Sequence, residues 1–293
     1  MHPAKRLRRS LSEGRLIVAP GAFDCLSAKA VESAGFSAIY MTGMGTSASR
    51  LGLPDYGLAT MSEMVANAAA MTFAVETPII ADADTGYGNE LNMTRTVREY
   101  ERQGVAGIHI EDQVFPKKCG HLEKKSVIGH DAFVSKIGAA VDARSNPDFI
   151  IIARTDANGV LGFDAAIERA NSALDVGADL ALVEAPISLD QLRAIPRRVH
   201  GSCVLNVLLG GKSPLLSLEE IENLGYRMVL LSDALLGTAM AAYDAALTSV
   251  LTSSGPLSLP NMVSPKEMFQ RLGSAEWDNL NVHTGEHERK AVA

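Results

Sequence analysis

Gln103-Gly104-Val105-Ala106-Gly107-Ile108-His109-Ile110-Glu111-Asp112 decides the fold. A helical stretch ends at Gly104, a short spacer follows, and an apolar run closes on two acids. Glycine fits the left-handed backbone position that terminates a helix. A short strand that stays apolar along its length suits a parallel sheet buried on both faces. The same order returns as Ala34-Gly35 before Ser37–Met41, Val176-Gly177 before Asp179–Val183, and Leu224-Gly225 before Tyr226–Leu230. Further apolar runs at Leu16–Ala19, Pro78–Asp82, Phe149–Arg154 and Cys203–Asn206 bring the predicted strands to eight.

Helices are predicted between them over Asp24–Ala34, Met61–Phe73, Asn92–Gln103, His130–Ala143, Phe163–Val176, Leu189–Ile195 and Leu218–Leu224, the last capped by Ser217. A long helix, Ala234–Leu251, follows the final strand. Eight alternating β/α units in about 250 residues define an α/β protein of the (β/α)8 TIM-barrel type. A doubly wound open sheet is the alternative, but no Gly-x-Gly-x-x-Gly follows the first strand. Ser253-Ser254-Gly255-Pro256 reads as a linker, so the expected division is a catalytic barrel over 1–252 and a C-terminal helical arm over 253–293. The arm holds one more predicted helix, Met262–Leu272, and a charged tail with Glu286–Lys290. The basic run Lys5–Arg9 reads as a solvated helix.

Of 293 residues, 47% are hydrophobic and 21% charged, which suits a packed protein rather than a disordered one. The net charge of -7, with no basic stripe interleaved with aromatics, argues against a nucleic-acid partner. No uninterrupted apolar run approaches ~20 residues, so no membrane span is expected, and the first residues show no signal-peptide pattern. Three scattered cysteines point to a reducing, cytoplasmic setting.

In a barrel the active site lies at the C-terminal strand ends. There the strands carry Tyr40 and Thr42, Asp82 and Asp84, His109 and Glu111, Arg154 and Asp156, Glu184, and Asn206. Residues two apart on a strand share a face, so each pair can enter one mouth. Carboxylates gathered there need a counter-charge. Asp82, Asp84 and Glu111 suit a hard divalent ion, Mg2+ first and Mn2+ as the alternative. The plainer reading is that these acids cap helices or pair with Lys and Arg. Arg154 suits a substrate carboxylate, or a salt bridge to Glu111 or Glu184. The segment Lys117-Lys118-Cys119-Gly120-His121 lacks apolar periodicity and reads as a mobile loop. Its flanking cations are expected to favour the Cys119 thiolate, and Gly120 to serve as a hinge. Cys25 and Cys203 read as packing residues.

Several of these stretches resemble the isocitrate lyase/phosphoenolpyruvate mutase superfamily. They are Gly43–Ser49, Leu51–Asp55, Asp82-Ala83-Asp84-Thr85-Gly86-Tyr87-Gly88, His109–Gln113 and Lys117–His121. The likeness runs from about Gly21 to Leu251. It implies a modified barrel whose eighth helix swaps onto a neighbouring subunit, in a homotetramer built from two such dimers. It implies Mg2+ on Asp82, Asp84 and Glu111, and a small carboxylate substrate bound by Thr42, Gly43, Met44, Asp55, Gly120, Arg154, Glu184 and Asn206. Tyr40, Cys119, His121 and Glu111 are the implied catalytic residues, with Tyr40 near the substrate hydroxyl as base and Cys119 protonating the carbanion from a closing lid.

Departures from the family pattern narrow the choice. Asn206-Val207-Leu208-Leu209-Gly210-Gly211 stands where isocitrate and methylisocitrate lyases carry Asn-Ile-Thr-Glu-Phe-Gly, and Gly237 where methylisocitrate lyase carries an Arg. Leu208, Leu209 and Leu231 are expected to line an apolar distal pocket. The expected activity is a Mg2+-dependent carbon–carbon lyase on a 2-hydroxy or 2-oxo dicarboxylate, through a metal-stabilised enolate. The alternatives are a phosphonate mutase or hydrolase of the same fold, which Lys117, Lys118 and Lys212 would serve, and a non-catalytic binding barrel.

Overall fold

A computed structural model of the chain describes residues 1–256 and 258–280. Its elements run α1 (Pro3–Ser12), β1 (Ile17–Ala22), α2 (Cys25–Ser33), β2 (Ile39–Met41), α3 (Gly43–Thr46), α4 (Met61–Ala74), β3 (Ile79–Asp82), α5 (Glu90–Arg102), β4 (Gly107–Glu111) and α6 (His130–Ala143). They continue as β5 (Ile150–Thr155), α7 (Phe163–Asp175), β6 (Leu180–Val183), α8 (Leu189–Arg198), β7 (Cys203–Val207), α9 (Leu218–Leu224), β8 (Met228–Leu231), α10 (Ala234–Thr252) and α11 (Pro265–Arg271). A π-helical turn over Ser47–Leu51 continues α3. The strands pair in parallel and in sequence order, and β8 closes onto β1 as a complete barrel. The (β/α)8 architecture read from the sequence is the architecture observed.

Local chemistry explains the boundaries. Ser217 and Glu220 form a reciprocal capping box at the start of α9, and Gly225 ends it at a φ of 102°. Thr60 with Glu63 does the same for the start of α4. Helix α8 runs to Arg198, past its expected end at Ile195, although Pro196 lies inside it. Proline cannot donate to the carbonyl of Leu192. The Tyr226 hydroxyl donates to that carbonyl instead, at 3.0 Å, so the acceptor is satisfied.

The period of two along each strand sorts the core into layers. Ile80, Ile150, Ile152, Leu180, Leu182, Val204, Met228 and Leu230 fill the barrel interior. Ile108, Ile110, Ile151 and Ala153 belong to the core shared with the helices. Each inward column changes from apolar to polar toward its C-terminal end. Ile152 is followed by Arg154, Leu182 by Glu184, Val204 by Asn206 and Leu230 by Ser232. The apolar floor and the polar mouth are therefore two ends of the same columns.

Helix α1 corrects the expectation of a solvated basic helix. Ala4 and Leu7 are fully buried in the interior cluster, with Leu11 packed against it. The cations at Lys5 and Arg9 occupy the opposite, solvated face. Arg8 turns to Asp179, which it meets at 2.8 Å beside Arg144.

The chain divides into two units between Gly237 and Thr238. The described part of the second unit holds most of α10, and α11. Helix α10 is long and apolar enough, by length and composition alone, to cross a membrane. A search for an uninterrupted apolar run misses it because Thr238, Asp244 and Thr248 punctuate the sequence. The charged stretch Glu286–Lys290 lies outside the described residues.

Leu7 gives the fold a direct test. Replacing it with alanine leaves a void beneath the barrel that the strands cannot collapse to fill. Leu7→Ala is expected to destabilise the protein by about 2–5 kcal/mol. Chemical denaturation measures the change, and a loss below about 1 kcal/mol would show that α1 is dispensable to the core.

Candidate active site

Asp82 organises the mouth of the barrel. Its Oδ1 accepts from His109 Nε2 at 2.7 Å and from the Asp84 amide at 2.9 Å. Its Oδ2 accepts from the Tyr40 hydroxyl at 3.1 Å and from the Gly43 amide at 3.2 Å. A Cβ on Gly43 would fall 2.4 Å from that oxygen, so only glycine lets this backbone approach. Burial opposes ionisation of Asp82, but His109 and Lys117 outweigh it and hold the carboxyl well below its ordinary range.

Asp84 follows β3 at a φ of 46°, a left-handed position that Asp tolerates. Lys117 Nζ lies between it and Asp55, at 2.7 Å and 2.6 Å. Burial still pushes the Asp84 carboxyl up to about 6, against Lys117 and with help from Asp82 and Asp55. Glu111 is deeper and fully buried. Arg154 Nη1 lies 3.3 Å from its Oε2, while its Oε1 has no hydrogen-bond partner. Burial pushes the Glu111 carboxyl well above its usual value.

Both sequence readings of Arg154 as a salt-bridge partner hold together. Its guanidinium meets Glu111, Asp156 at 3.0 Å and Glu184 at 3.6 Å. Glu184 Oε1 accepts from Asn206 Nδ2 at 3.0 Å and lies 3.2 Å from His121 Nε2. The Lys212 amide donates to His121 Nδ1 at 2.9 Å, which places the ring proton on Nε2, toward Glu184.

Residues 114–128 form a lid over this mouth. The Cys119 amide donates to the Asp55 carbonyl at 3.2 Å. A Cβ on Gly120 would lie 2.4 Å from Arg154 Nη2 and 2.5 Å from Glu184 Cγ, so the lid backbone rests directly on the Arg154–Glu184 pair. Beneath it is a cavity of about 30 Å³ lined by Tyr40, Thr42, Met44, Asp55, Asp82, Cys119, Gly120, His121, Arg154, Glu184, Asn206, Leu208 and Ser232. Outside it, a cavity of about 510 Å³ is lined by Met44, Pro54, Tyr56, Cys119, Leu122, Leu208 and Lys212 among others.

Most of the residues singled out in the sequence thus meet at one cavity. Gly43, Asp84 and Glu111 lie beside or behind its lining. Among the described residues, no three His, Cys, Asp or Glu side chains converge as a metal-binding group. Lys117 and Arg154 stand among the three acids expected to form one. Ser232 and Lys125 were not singled out. Ser232 sits two residues after the inward-facing Leu230, a spacing that would have exposed it; its hydroxyl donates to Asn206 Oδ1. Lys125 has no such signal.

Four expectations change. The Cys119 thiol is shifted up, not down, chiefly by burial, with Asp55 and Glu184 adding to it. The neighbouring cation Lys117 is turned away onto carboxylates. Burial and Asp82 hold the Tyr40 phenol well above its usual value, so Tyr40 is a hydrogen-bond donor and a poor base. Leu231 packs in the core between barrel and helices, one residue out of phase with the interior. Leu209 is 57% exposed, leaving Leu208 alone of the three in the cavity walls.

Comparison with known proteins agrees with this fold. The family model described as phosphoenolpyruvate phosphomutase matches residues 7–251. The chain is 48% identical over 242 residues to the 2,3-dimethylmalate lyase of Eubacterium barkeri, covering 83% of this chain and 84% of the relative. It is 36% identical over 292 residues to a 2-methylisocitrate lyase of Aeropyrum pernix, covering 99% and 94%. A solved structure of oxaloacetate acetylhydrolase with the inhibitor 3,3-difluorooxalacetate superposes with a TM-score of 0.93, at 39% identity and 97% coverage of both chains. The chain belongs to the phosphoenolpyruvate mutase/isocitrate lyase superfamily.

The half-buried Cys119 thiol yields a measurable pH profile. Alkylation of Cys119 is expected to rise with pH through a midpoint above the ~8.5 of an exposed cysteine. Mass-spectrometric rates for the Cys119 peptide test this, and a midpoint below that value would restore the thiolate reading.

Proposed function

We propose that the protein is a carbon–carbon lyase acting on a compact 2-hydroxy or 2-oxo dicarboxylate. The observation that carries this reading is the placement of the Cys119 thiol, whose ionisation burial opposes, at the same small cavity as a guanidinium, Arg154. Arg154, with the amides around Gly43, receives one substrate carboxylate. For a 2-hydroxy acid, the Tyr40 hydroxyl takes the substrate's hydroxyl proton as it hands its own to Asp82 Oδ2, so that the proton comes to rest on the Asp82 carboxylate. The C2–C3 bond then breaks, its electron pair stays on the C3 fragment, and the Cys119 thiol protonates that carbon. The seated lid keeps bulk water from competing for the carbanion.

The acids fit a divalent cation by donor chemistry. Glu111 offers a buried oxygen without a partner, and burial opposes ionisation of both Glu111 and Asp84 despite the neighbouring Arg154 and Lys117. Asp82, Asp84 and Glu111 would hold Mg2+, or Mn2+ in its place. When bound, it supplies positive charge to the substrate oxygens that become negative as the bond breaks.

The phosphonate alternative needs free cations around a phosphoryl group. Lys117 is engaged by Asp55 and Asp84, and Lys212 pairs with Glu123, so two of the three lysines read for that role are committed. The exposed apolar residues of α10, among them Met240, Tyr243 and Leu247, support assembly with further copies of this chain, for which the resemblance implies a tetramer.

The outer cavity sets the expected preference. Leu208, Met44, Pro54 and Leu122 suit an alkyl substituent, each buried methylene contributing about 0.8 kcal/mol. A further buried carboxylate would find Lys212, already paired with Glu123, and His121, already held between the Lys212 amide and Glu184. Catalytic efficiency, followed by release of a 2-oxo acid or oxalate, is expected to be higher on 2,3-dimethylmalate or oxaloacetate than on methylisocitrate. Preference for methylisocitrate would overturn the pocket reading, and turnover of phosphonopyruvate alone would overturn the lyase.

A further inference from the structure

Lys125 belongs to the lid but points into the protein. Its side chain is 5% exposed. The ammonium reaches two acceptors in different parts of the fold. One is Asp156 Oδ1, at 2.6 Å, just past β5. The other is the carbonyl of Gly120, five residues back in the lid itself.

Asp156 is a fixed post. Its amide donates to Asp112 Oδ1 at 2.7 Å, and its Oδ2 accepts from Arg154 Nε at 3.0 Å. Asp112 is in turn held by Arg169 at 2.9 Å and by the Thr155 hydroxyl at 2.6 Å. A lid tied to this post is tied to the barrel wall. The tie acts at Gly120, the residue whose backbone lies against Arg154 and Glu184. It also brings a second cation to a carboxylate that Arg154 would otherwise neutralise alone, leaving more of the guanidinium's charge for a substrate anion.

We propose that Lys125 is a positioning residue that latches the lid. By bridging the Gly120 carbonyl and Asp156, it seats Cys119 and His121 over Arg154 and Glu184. Its importance for turnover rests on reading this cavity as the active site; the latch itself does not.

Amide hydrogen exchange in the ligand-free protein tests the latch without any substrate. The Lys118, Cys119 and Leu122 amides, which donate to Gln113, Asp55 and Cys119, report the seated lid. Lys125→Met is expected to speed their exchange at least about tenfold while leaving the β7 amides unchanged, and Lys125→Arg to return them to within about threefold of wild type. If Lys125→Met also deprotects β7, Lys125→Gln, which keeps a donor, is judged by the same criterion. Lid exchange within about twofold of wild type in a folded variant, or an Arg variant as fast as the Met variant, would overturn the proposal. Since no turnover is measured, failure of the latch leaves the lyase reading standing, and failure of the lyase reading leaves the latch intact.

Discussion

Excess negative charge in a buried layer is the constraint on which this structure depends. Asp55, Asp82, Asp84, Glu111, Asp156 and Glu184 crowd the barrel mouth, against the permanent cations Lys117, Lys125 and Arg154. Hydrogen bonds decide where the surplus falls. Asp82 collects donors from three different strand ends and ionises readily, while Asp84 and Glu111 are left short and resist ionisation. The barrel creates this crowding because parallel closure points every C-terminal strand end at one ring. Closing the opposite end with α1 keeps the lower interior apolar, so the charged ring has a dry floor.

The lid is part of the same electrostatic balance. Lys117 and Lys125 enter the mouth from the lid segment, so its seating supplies two of the three cations. The same segment sets the Gly120 backbone onto the Arg154–Glu184 pair and Cys119 at the cavity. The seated lid, the balance of the acids and the position of the Cys119 thiol are therefore linked through the same segment. Below the lid the cavity admits only a compact head group, and outside it the walls turn apolar at Leu208 and Leu122. On the proposed function, that contrast would separate recognition of the reacting carboxylate from selection of its substituent.

Local rules carried much of this into the sequence. Helix-ending glycines and continuous apolar strands gave the eight units, and the spacing of two gave the inward acids with Arg154 and His109. What escaped depended on tertiary partners. The burial of Leu7 depends on the whole floor being present to receive it. The sign of the Cys119 shift is set chiefly by burial, with Asp55 and Glu184 brought beside it by folding, none of which adjacency in sequence reveals. Leu231 was misplaced by one residue, and in a strand that reverses the face. Lys125 resembles any loop lysine until Asp156 and Gly120 are brought beside it by folding.

Titration calorimetry of Mg2+ into the wild-type protein, Glu111→Gln and Asp84→Asn tests the charge account most directly. Uptake is expected in the wild type, weakened at least about tenfold in each variant, because each removes one of the anionic oxygen donors that the ion would use. Equal affinity in all three proteins, or no binding to the wild type, would contradict it.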